Sequence, residues 1–154
     1  MAVTSLAALP VLGNRLLRTT PLVLERISAM PGQVAVVNGD TLRLGEHVVH
    51  LWGISAPARG RNCGAVGPDC GDAAAQALAA LIQDQPRLIC LVRGQDMQGN
   101  TIAVCTAGTT ELGRALVSGG WARGRPGAPE LEQAEGSARA ERRGLWAVAD
   151  ASGW

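Results

Sequence analysis

The sequence contains no phenylalanine, no tyrosine and no lysine, and four tryptophans are its only aromatic side chains. All 14 basic residues are therefore arginines. Proteins that bind single-stranded nucleic acid stack the bases on aromatic side chains, so this composition argues against a dedicated binder of that class. The formal net charge of +1 likewise provides no overall field that would attract a polyanion.

Long apolar runs are also missing. No stretch approaches the roughly 20 residues that a membrane helix needs, so we expect no membrane span. A shorter run, Leu6–Leu12, is interrupted by Pro10, and Arg15 and Arg18 follow it. A signal peptide carries its positive charges in front of the apolar segment, not behind it. We therefore expect residues 1–30 to form a tail that is loosely ordered, partly helical or a degenerate export segment.

The remaining composition is typical of one globular domain. The chain has 154 residues, of which 47% are hydrophobic and 18% are charged, which is enough to bury a core. We expect this domain to occupy residues 31–149, followed by a short tail over residues 150–154. Three tryptophans stand among apolar neighbours and are interpreted as core residues: Trp52, Trp121 and Trp146.

Two segments have the pattern of β-hairpins. In "QVAVVNGDTLRL" the Asn38-Gly39 pair stands between apolar runs, which is a strong short-range signal for a tight hairpin turn. The segment "GEHVVHLWGI" then predicts a third strand, entered through Gly45-Glu46. The second hairpin is predicted in "RLICLVRGQDMQGNTIAVCTA", with its turn centred on Met97 and Gln98.

Three helices complete the predicted order of elements. "DAAAQALAALIQ" is expected to begin at an Asp72 N-cap, and "ELGRALVSG" at a Thr110 N-cap. The last helix is predicted in "APELEQAEGSARAERRGLWA", ending at Gly144. Five short antiparallel strands with a helix between the third and fourth predict a mainly β, α+β fold. The architecture that fits this order is a small closed barrel of the oligonucleotide/oligosaccharide-binding (OB) type.

The four cysteines fall into two pairs. Cys63 and Cys70 bracket a loop rich in glycine and proline, and Cys90 and Cys105 are predicted to oppose each other across the second hairpin. Opposed residues have Cα atoms about 4.5–5.5 Å apart, which a disulfide can span. We favour the disulfides Cys63–Cys70 and Cys90–Cys105, with free core thiols and a metal site as alternatives. Disulfides would favour an oxidising, extracytoplasmic compartment.

Several ordered motifs together resemble the staphylococcal-nuclease-like, or thermonuclease, domain. They are "VVNGDTLRL" and "VHLWGISAP", followed by "DMQGNTIAVC", "ELGRALVSGGWA" and "EGSARAERRGLWA", and they extend from Val34 to Ala147. The cysteine-bearing loop and hairpin resemble an exported bacterial subgroup of that family. The resemblance implies a five-stranded OB-fold barrel with about three helices. It also implies calcium-dependent cleavage of phosphodiester bonds in DNA and RNA.

The resemblance also assigns the catalytic positions. Such chemistry needs carboxylates for the calcium ion, a carboxylate that activates water, and two arginines for the phosphate. The first metal carboxylate corresponds to Asp40, and the first arginine to His50. The second metal carboxylate corresponds to Ser55, the general base to Ala58, and the second arginine to Asn100.

Only Asp40 keeps the chemistry that the family mechanism requires at its position. A single carboxylate, that of Asp40, would bind calcium only weakly. The same side chain has an alternative role, in which it accepts hydrogen bonds from the amides of its own turn. Each lost acid–base or electrostatic group typically lowers the rate by about 10²–10⁴-fold. We therefore assign a catalytic role to no residue from the sequence, and we expect no cofactor.

The sequence thus predicts a nuclease-like domain that acts as a non-catalytic binding or scaffold module, and we expect a monomer. No particular partner is indicated, although weak binding of nucleic acid or a nucleotide is compatible with the candidate binding residues Arg43, His50, Arg59 and Arg61. The alternative is a residual or altered phosphodiesterase that uses His50 and the loop arginines. Calcium would be needed only in that alternative.

Overall fold

The computed structural model of the chain describes residues 24–64, 67–148 and 154. Nine strands and three α-helices occupy these ranges, and two short 3-10 turns accompany them at Pro31–Gln33 and Gly144–Ala147. The elements are β1 (Arg26–Ala29), β2 (Val34–Asn38), β3 (Thr41–Leu44), β4 (His47–Leu51), β5 (Ile54–Ser55), α1 (Cys70–Gln83), β6 (Leu88–Gln95), β7 (Thr101–Ala107), β8 (Thr110–Glu111), α2 (Leu112–Ser118), β9 (Arg123–Gly124) and α3 (Pro129–Ala140).

The main sheet has the strand order β1-β6-β7-β4-β3-β2, with β8 paired to β7. β1 and β2 form its two ends, although only Met30–Gln33 separates them along the chain. The sheet must therefore curl until its ends approach each other, as in a small barrel. With β1 and β2 counted as one bent strand, and over the described residues, the barrel has five long strands. The predicted α+β, OB-type architecture is confirmed.

The prediction that all strands are antiparallel is wrong. β4 pairs with β7 in parallel, with Val49 opposite Thr101 and Leu51 opposite Ala103. The chain leaves β4, passes through α1 and enters β6, and the second hairpin then reverses its direction. β7 consequently arrives beside β4 running the same way. Strand polarity between distant segments depends on this path and not on the local pattern.

The sheet begins before residue 31, where we expected the domain to start. β1 lies within the segment that we assigned to the N-terminal tail, and it pairs with β6 through Ile27 opposite Cys90. Only four residues long, β1 shows little periodicity by itself, and the pairing with β6 establishes it. Residues 1–23 of the predicted tail and residues 150–153 of the C-terminal tail lie outside the described residues.

The core consists of leucine, isoleucine, valine, alanine and cysteine side chains. Along β7, alternate residues point inward, and Ala103, Cys105 and Ala107 are fully buried. Each fully buried leucine or valine stabilises the fold by about 1.5–3 kcal/mol. Cys90 and Cys105 oppose each other in the register and are joined by a disulfide across 4.0 Å between their Cα atoms. This bond links β6 to β7 in the middle of the core.

The loop before α1 is closed by the second disulfide, Cys63–Cys70, whose Cα atoms are 5.4 Å apart. α1 begins at Cys70, and Asp69 is its N-cap, with its carboxylate accepting from the Asp72 amide at 2.8 Å. The predicted Asp72 cap is therefore wrong. The disulfide brings the loop's end against the helix and extends the helix toward its N-terminus beyond the alanine-rich pattern.

The predicted N-cap of α2 is also wrong, because α2 is capped one residue later than predicted. The carboxylate of Glu111 accepts hydrogen bonds from the amides of Gly113 and Arg114, whereas Thr110 belongs to β8. α3 ends at Ala140, and the predicted extension to Gly144 is replaced by a turn in which Arg142 has a positive φ of 53°. Among the described residues, no helix has both the length and the apolar character to cross a membrane.

Candidate functional site

Asp40 lies in the turn between β2 and β3, and both of its carboxylate oxygens are engaged. Oδ1 accepts a hydrogen bond from the Thr41 hydroxyl at 2.8 Å, and Oδ2 accepts one from the Ala56 amide at 2.8 Å. The amide that donates to Asp40 therefore belongs to the segment after β5. The alternative role expected for Asp40 was to accept from the amides of its own turn. Asp40 ties the first hairpin to the segment that contains Ser55 and Ala58.

Thr41 and His50 oppose each other in the register of β3 and β4. The Thr41 side chain is buried, and its Oγ1 lies 3.0 Å from Nδ1 of His50. A hydroxyl has a single hydrogen, which Thr41 donates to Asp40, so Thr41 accepts the Nδ1–H of His50. The other ring nitrogen, Nε2, lies 3.4 Å from Oδ2 of Asp96. Nδ1 of His50 therefore donates to Thr41, whereas the contact of Nε2 with Asp96 becomes an ion pair only when the ring is protonated.

Asp96 and Asn100 form the turn of the second hairpin. Oδ1 of Asp96 accepts the amides of Gln98 and Asn100 at 2.9 and 2.8 Å, and Oδ2 accepts the Asn100 side-chain amide at 2.9 Å. The Asn100 side chain, these backbone amides and the facing His50 lower the pKa of Asp96 below its ordinary value, against an opposing effect of partial burial. Asp96 therefore stays ionised, and the Asn100 side chain is bonded to it.

These contacts form one polar chain of five residues that joins the two hairpin turns: Asp40, Thr41, His50, Asp96 and Asn100. A hydroxyl, an imidazole and a carboxylate in sequence resemble the arrangement of a nucleophile, a base and an orienting acid. Thr41, however, is only 4% exposed. Its hydroxyl does not reach the surface, so this polar chain cannot present a nucleophile to a substrate.

Two separate cavities contain four of the sequence-predicted positions: His50, Ser55, Ala58 and Arg61. The first, which we call the His50 cleft, has a volume of about 590 Å³ and is lined by residues that include His50, Trp52, Asp96 and Arg125. The second, which we call the Ser55 pocket, has a volume of about 230 Å³. It is lined by Ser55, Ala56, Pro57, Ala58, Arg61, Arg123 and Trp154. The structure therefore places His50 in one cavity, and Ser55 and Ala58 in the other.

The three loop and strand arginines predicted as binding residues have different environments. Arg59 forms an ion pair with Asp72, and its Nε donates to the Val37 carbonyl at 2.9 Å, so it is not available to a ligand. Arg43 is exposed on β3 and is not among the described residues that line either cavity. Arg61 alone of the three lines a cavity, the Ser55 pocket.

Arg125 and Trp52 are cleft residues that sequence reasoning missed. Arg125 follows β9, and its amide donates to the Gly53 carbonyl at 2.8 Å, which places the residue beside β4. Trp52 is 42% exposed, which contradicts its interpretation as a core residue, and Arg93 lies over its ring at 5.2 Å. The spacing of Arg123 and Arg125, two residues apart after a helix, was the signal that could have indicated a basic strand.

The family model for staphylococcal nuclease homologues matches residues 48–148, which are 101 of the 154 residues. The chain belongs to the staphylococcal nuclease homologue family. Comparison with curated proteins finds no match. In this nuclease homologue the matched region includes Ser55, Ala58 and Asn100, and it begins inside β4, after the turn that contains Asp40.

The residues of this nuclease homologue do not fit a calcium site. Calcium takes six to eight oxygen ligands, several of them carboxylates. Within residues 24–64, 67–148 and 154, no three aspartate, glutamate, histidine or cysteine side chains gather where they could hold a metal ion. Asp40 is the one carboxylate that the resemblance assigns to a metal position, and both of its oxygens already accept hydrogen bonds. No reaction step through calcium follows from this donor set.

Proposed function

We propose that this nuclease homologue does not hydrolyse phosphodiester bonds and acts as a binding module for a phosphate-bearing ligand, such as a nucleotide or a short single strand. The observation that supports this proposal most strongly is the polar chain from Asp40 to Asn100. The groups that could act on a water molecule or a phosphate are bonded to one another instead.

Hydrolysis needs a group that removes a proton from the attacking water. Ala58 has no such group, and His50 donates through Nδ1 to Thr41 while its Nε2 lies 3.4 Å from the Asp96 carboxylate. Asp96 accepts three hydrogen bonds in addition to facing His50. A water in the His50 cleft would have to displace one of these contacts first. Missing acid–base and charge-neutralising groups lower the rate by about 10²–10⁴-fold each, and several are missing here.

Binding of a phosphate-bearing ligand is supported by the lining of the His50 cleft. Its volume of about 590 Å³ falls within the usual range for small-molecule sites. A guanidinium group such as that of Arg125 matches two phosphate oxygens, and an exposed indole such as that of Trp52 offers a face for stacking. Asp96 lines the same cleft and would repel a phosphate, so we expect weak binding.

The absence of hydrolysis is tested by incubating the purified chain with calcium and end-labelled single-stranded DNA. We expect intact DNA. A variant that restores all four missing groups, His50→Arg, Ser55→Asp, Ala58→Glu and Asn100→Arg, is expected to gain calcium-dependent cleavage, whereas Ala58→Glu alone is not. Cleavage by the unaltered chain that disappears in His50→Ala would contradict the proposal and favour the alternative, a residual phosphodiesterase.

Binding is tested by fluorescence anisotropy with a labelled oligonucleotide at low salt. Arg125→Gln should weaken binding, because it removes the cation of the His50 cleft. The matched control is Arg43→Gln, which removes an equal charge from an exposed strand position outside the described lining of both cavities. Equal affinities for the unaltered chain and for both variants would contradict a site in this cleft.

We also propose that the domain functions as a monomer in an oxidising, extracytoplasmic compartment. The two disulfides Cys63–Cys70 and Cys90–Cys105 support this location, because such bonds persist where thiols are not kept reduced. A thiol titration of the denatured chain, isolated under alkylating conditions, should detect no free thiol. Four free thiols would contradict the compartment, and a dimeric mass in solution would contradict the monomer.

A further inference from the structure

We infer that the Ser55 pocket is a binding site for a small oxyanion of the phosphate or sulfate class. The inference goes beyond the proposed function, because it concerns a second cavity and does not depend on ligand binding in the His50 cleft. It also reverses the charge that the resemblance implies at this place, where Ser55 and Ala58 replace a metal-binding carboxylate and a general-base carboxylate.

The lining of the Ser55 pocket offers donors and cations to a ligand. Arg61 contributes a guanidinium group and Ser55 a hydroxyl, and Arg123 also lines the pocket. None of the described residues that line the pocket is acidic. A volume of about 230 Å³ is below the usual range for nucleotide-sized ligands but sufficient for a tetrahedral oxyanion. This composition selects anions over cations.

Arg61 is held in place by the backbone around it. Its amide donates to the Ala58 carbonyl at 3.0 Å, and its carbonyl accepts the Cys70 amide at 2.9 Å. The Cys63–Cys70 disulfide closes this loop. Because the loop is fixed before a ligand arrives, little conformational entropy remains to be lost at its backbone on binding.

The nearest acidic residue of the loop is directed elsewhere. Asp69 accepts the Gly60 amide at 2.9 Å and the Asp72 amide at 2.8 Å. The Asp72 amide is the main cause of its lowered pKa, and the Gly60 amide contributes as well. Asp69 thus serves the loop and the start of α1, and it forms no ion pair with Arg61 within the described part of the chain.

The other wall of the pocket contains Arg123 and Trp154. Arg123 stands opposite Ser55 in the pairing of β5 with β9, so its Cα lies beside that of Ser55. Its guanidinium lies 4.8 Å from the ring centre of Trp154 and 5.2 Å from that of Trp146. These two rings restrict the guanidinium's orientation through cation–π contacts.

Trp154 provides a buried donor that has no acceptor. Its indole Nε1 is inaccessible to solvent and has no hydrogen-bond partner among the described residues. A buried donor without a partner lowers the stability of the folded chain. An oxyanion in the pocket offers acceptor oxygens within a small volume, so a modest adjustment of the ring on binding would satisfy this group. Trp154 is therefore the best reporter of occupancy.

The experiment uses the four indole N–H resonances of the ¹⁵N-labelled full chain, with the Trp154 resonance assigned by its disappearance in Trp154→Phe. Inorganic phosphate and, separately, sulfate are added against sodium chloride of matched ionic strength. We expect the Trp154 resonance to shift and to saturate with a Kd of about 1 mM, which corresponds to a modest binding free energy. Saturation by phosphate alone would identify a phosphate site, and saturation by both a general oxyanion site.

Three variants locate the effect. Arg61→Gln should weaken the binding of phosphate at least several-fold, and Ser55→Asp should abolish it by returning a carboxylate to the pocket. Arg43→Gln is the control of equal charge change and should bind like the unaltered chain. Because Arg61 and Ser55 are exposed, these substitutions leave the core intact, and the Cys90–Cys105 hairpin resonances report that the fold is retained.

A Trp154 resonance that moves only linearly, or that moves equally in Arg61→Gln, would overturn the inference. A saturating shift of the Trp52 resonance alone, abolished by Arg125→Gln, would place the anion in the His50 cleft. That result would overturn the inference while supporting the proposed function. Conversely, a saturating Trp154 shift in a chain that binds no oligonucleotide would support the inference and contradict the proposed function.

Discussion

Nδ1 of His50 lies 3.0 Å from Oγ1 of the buried residue Thr41, on the neighbouring strand. This contact makes His50 a structural link, because its other nitrogen faces Asp96 in the second hairpin turn. Two turns that are distant in sequence are joined through a single imidazole. His50, which the resemblance aligns with a catalytic arginine, thus contributes to the stability of the cavity wall.

His50→Ala should lower the free energy of unfolding by about 1–2 kcal/mol, because the buried Thr41 hydroxyl loses its hydrogen bond from Nδ1. Urea unfolding at neutral pH measures the change. His47→Ala is the matched control, since His47 is exposed on the same strand. An equal loss in the two variants would show that the links from His50 to Thr41 and Asp96 contribute nothing.

Asp69 should make stability depend on pH in the acid range. Its pKa in the folded chain lies below the ordinary value of 3.8, mainly because the Asp72 amide donates to its carboxylate. The unfolded chain therefore binds the proton more readily, and the contribution of Asp69 is complete above the ordinary pKa. As the pH falls from that value through the folded pKa, this stabilisation is lost.

Asp69→Asn is expected to flatten this acid dependence, since asparagine retains an oxygen that can cap α1 but does not titrate. The measurement is the free energy of unfolding at several pH values below and around the ordinary aspartate pKa. The contribution of Asp96, whose pKa is also lowered, should remain in the variant. An unchanged slope in Asp69→Asn would contradict the assignment.

Gly71 and Gly136 give a matched pair of helical glycines. A Cβ at Gly71, in the first turn of α1, would overlap the backbone of Ala58 and Arg59, whereas a Cβ at Gly136 in α3 would meet no atom within 4 Å. Gly71→Ala should cost about 1–3 kcal/mol because it forces the loop away from the helix. Gly136→Ala should stabilise by about 1 kcal/mol through helix propensity.

Thermal unfolding of the two glycine variants beside the unaltered chain decides this prediction. A change of the same sign in both would contradict it. Gly71→Ala should also weaken phosphate binding in the Ser55 pocket, because the displaced loop contains Ala58 and leads to Arg61.

Removal of the Cys90–Cys105 disulfide, as the double alanine variant, should cost about 3 kcal/mol on the chain-entropy estimate for a loop of this length. The shorter Cys63–Cys70 loop should cost less, at about 2.5 kcal/mol on the same basis. Chemical unfolding under non-reducing conditions compares them. Only removal of the Cys63–Cys70 disulfide should also weaken phosphate binding. The reverse pattern of binding would contradict the proposed role of the Cys63–Cys70 loop.

Local sequence was sufficient for features that depend on neighbours along the chain. Both hairpins form where the sequence predicts them, but the first turn lies one residue later than predicted, at Gly39-Asp40, because Asn38 belongs to β2 and pairs with Thr41. Cys90 lies opposite Cys105 as predicted, beyond a register shift between Val92 and Gly94. Alternation of apolar residues then defined the inner face of each strand. The order of the elements and the family motifs predicted the barrel correctly.

The side chains that line the cavities were not predictable from local sequence in the same way. Arg59 follows the Ser55–Ala58 segment directly, yet it is bound to Asp72 and Val37, whereas Arg125 lies far along the chain and lines the His50 cleft. Side chains of this length reach several directions from one backbone position. Which direction they take depends on the carboxylates and carbonyls that the fold brings near them.

The sequence by itself determined which chemical groups this protein has, including the absence of carboxylates at Ser55 and Ala58 and the pairing of its cysteines across short loops. Only the tertiary structure decided that Asp40 bonds Ala56, that β4 runs parallel to β7 and that His50 joins two turns. The physical reason is the separation along the chain over which each interaction acts. Turn geometry and hydrophobic period act over a few residues, whereas hydrogen bonds between distant segments exist only after the chain has closed into a barrel.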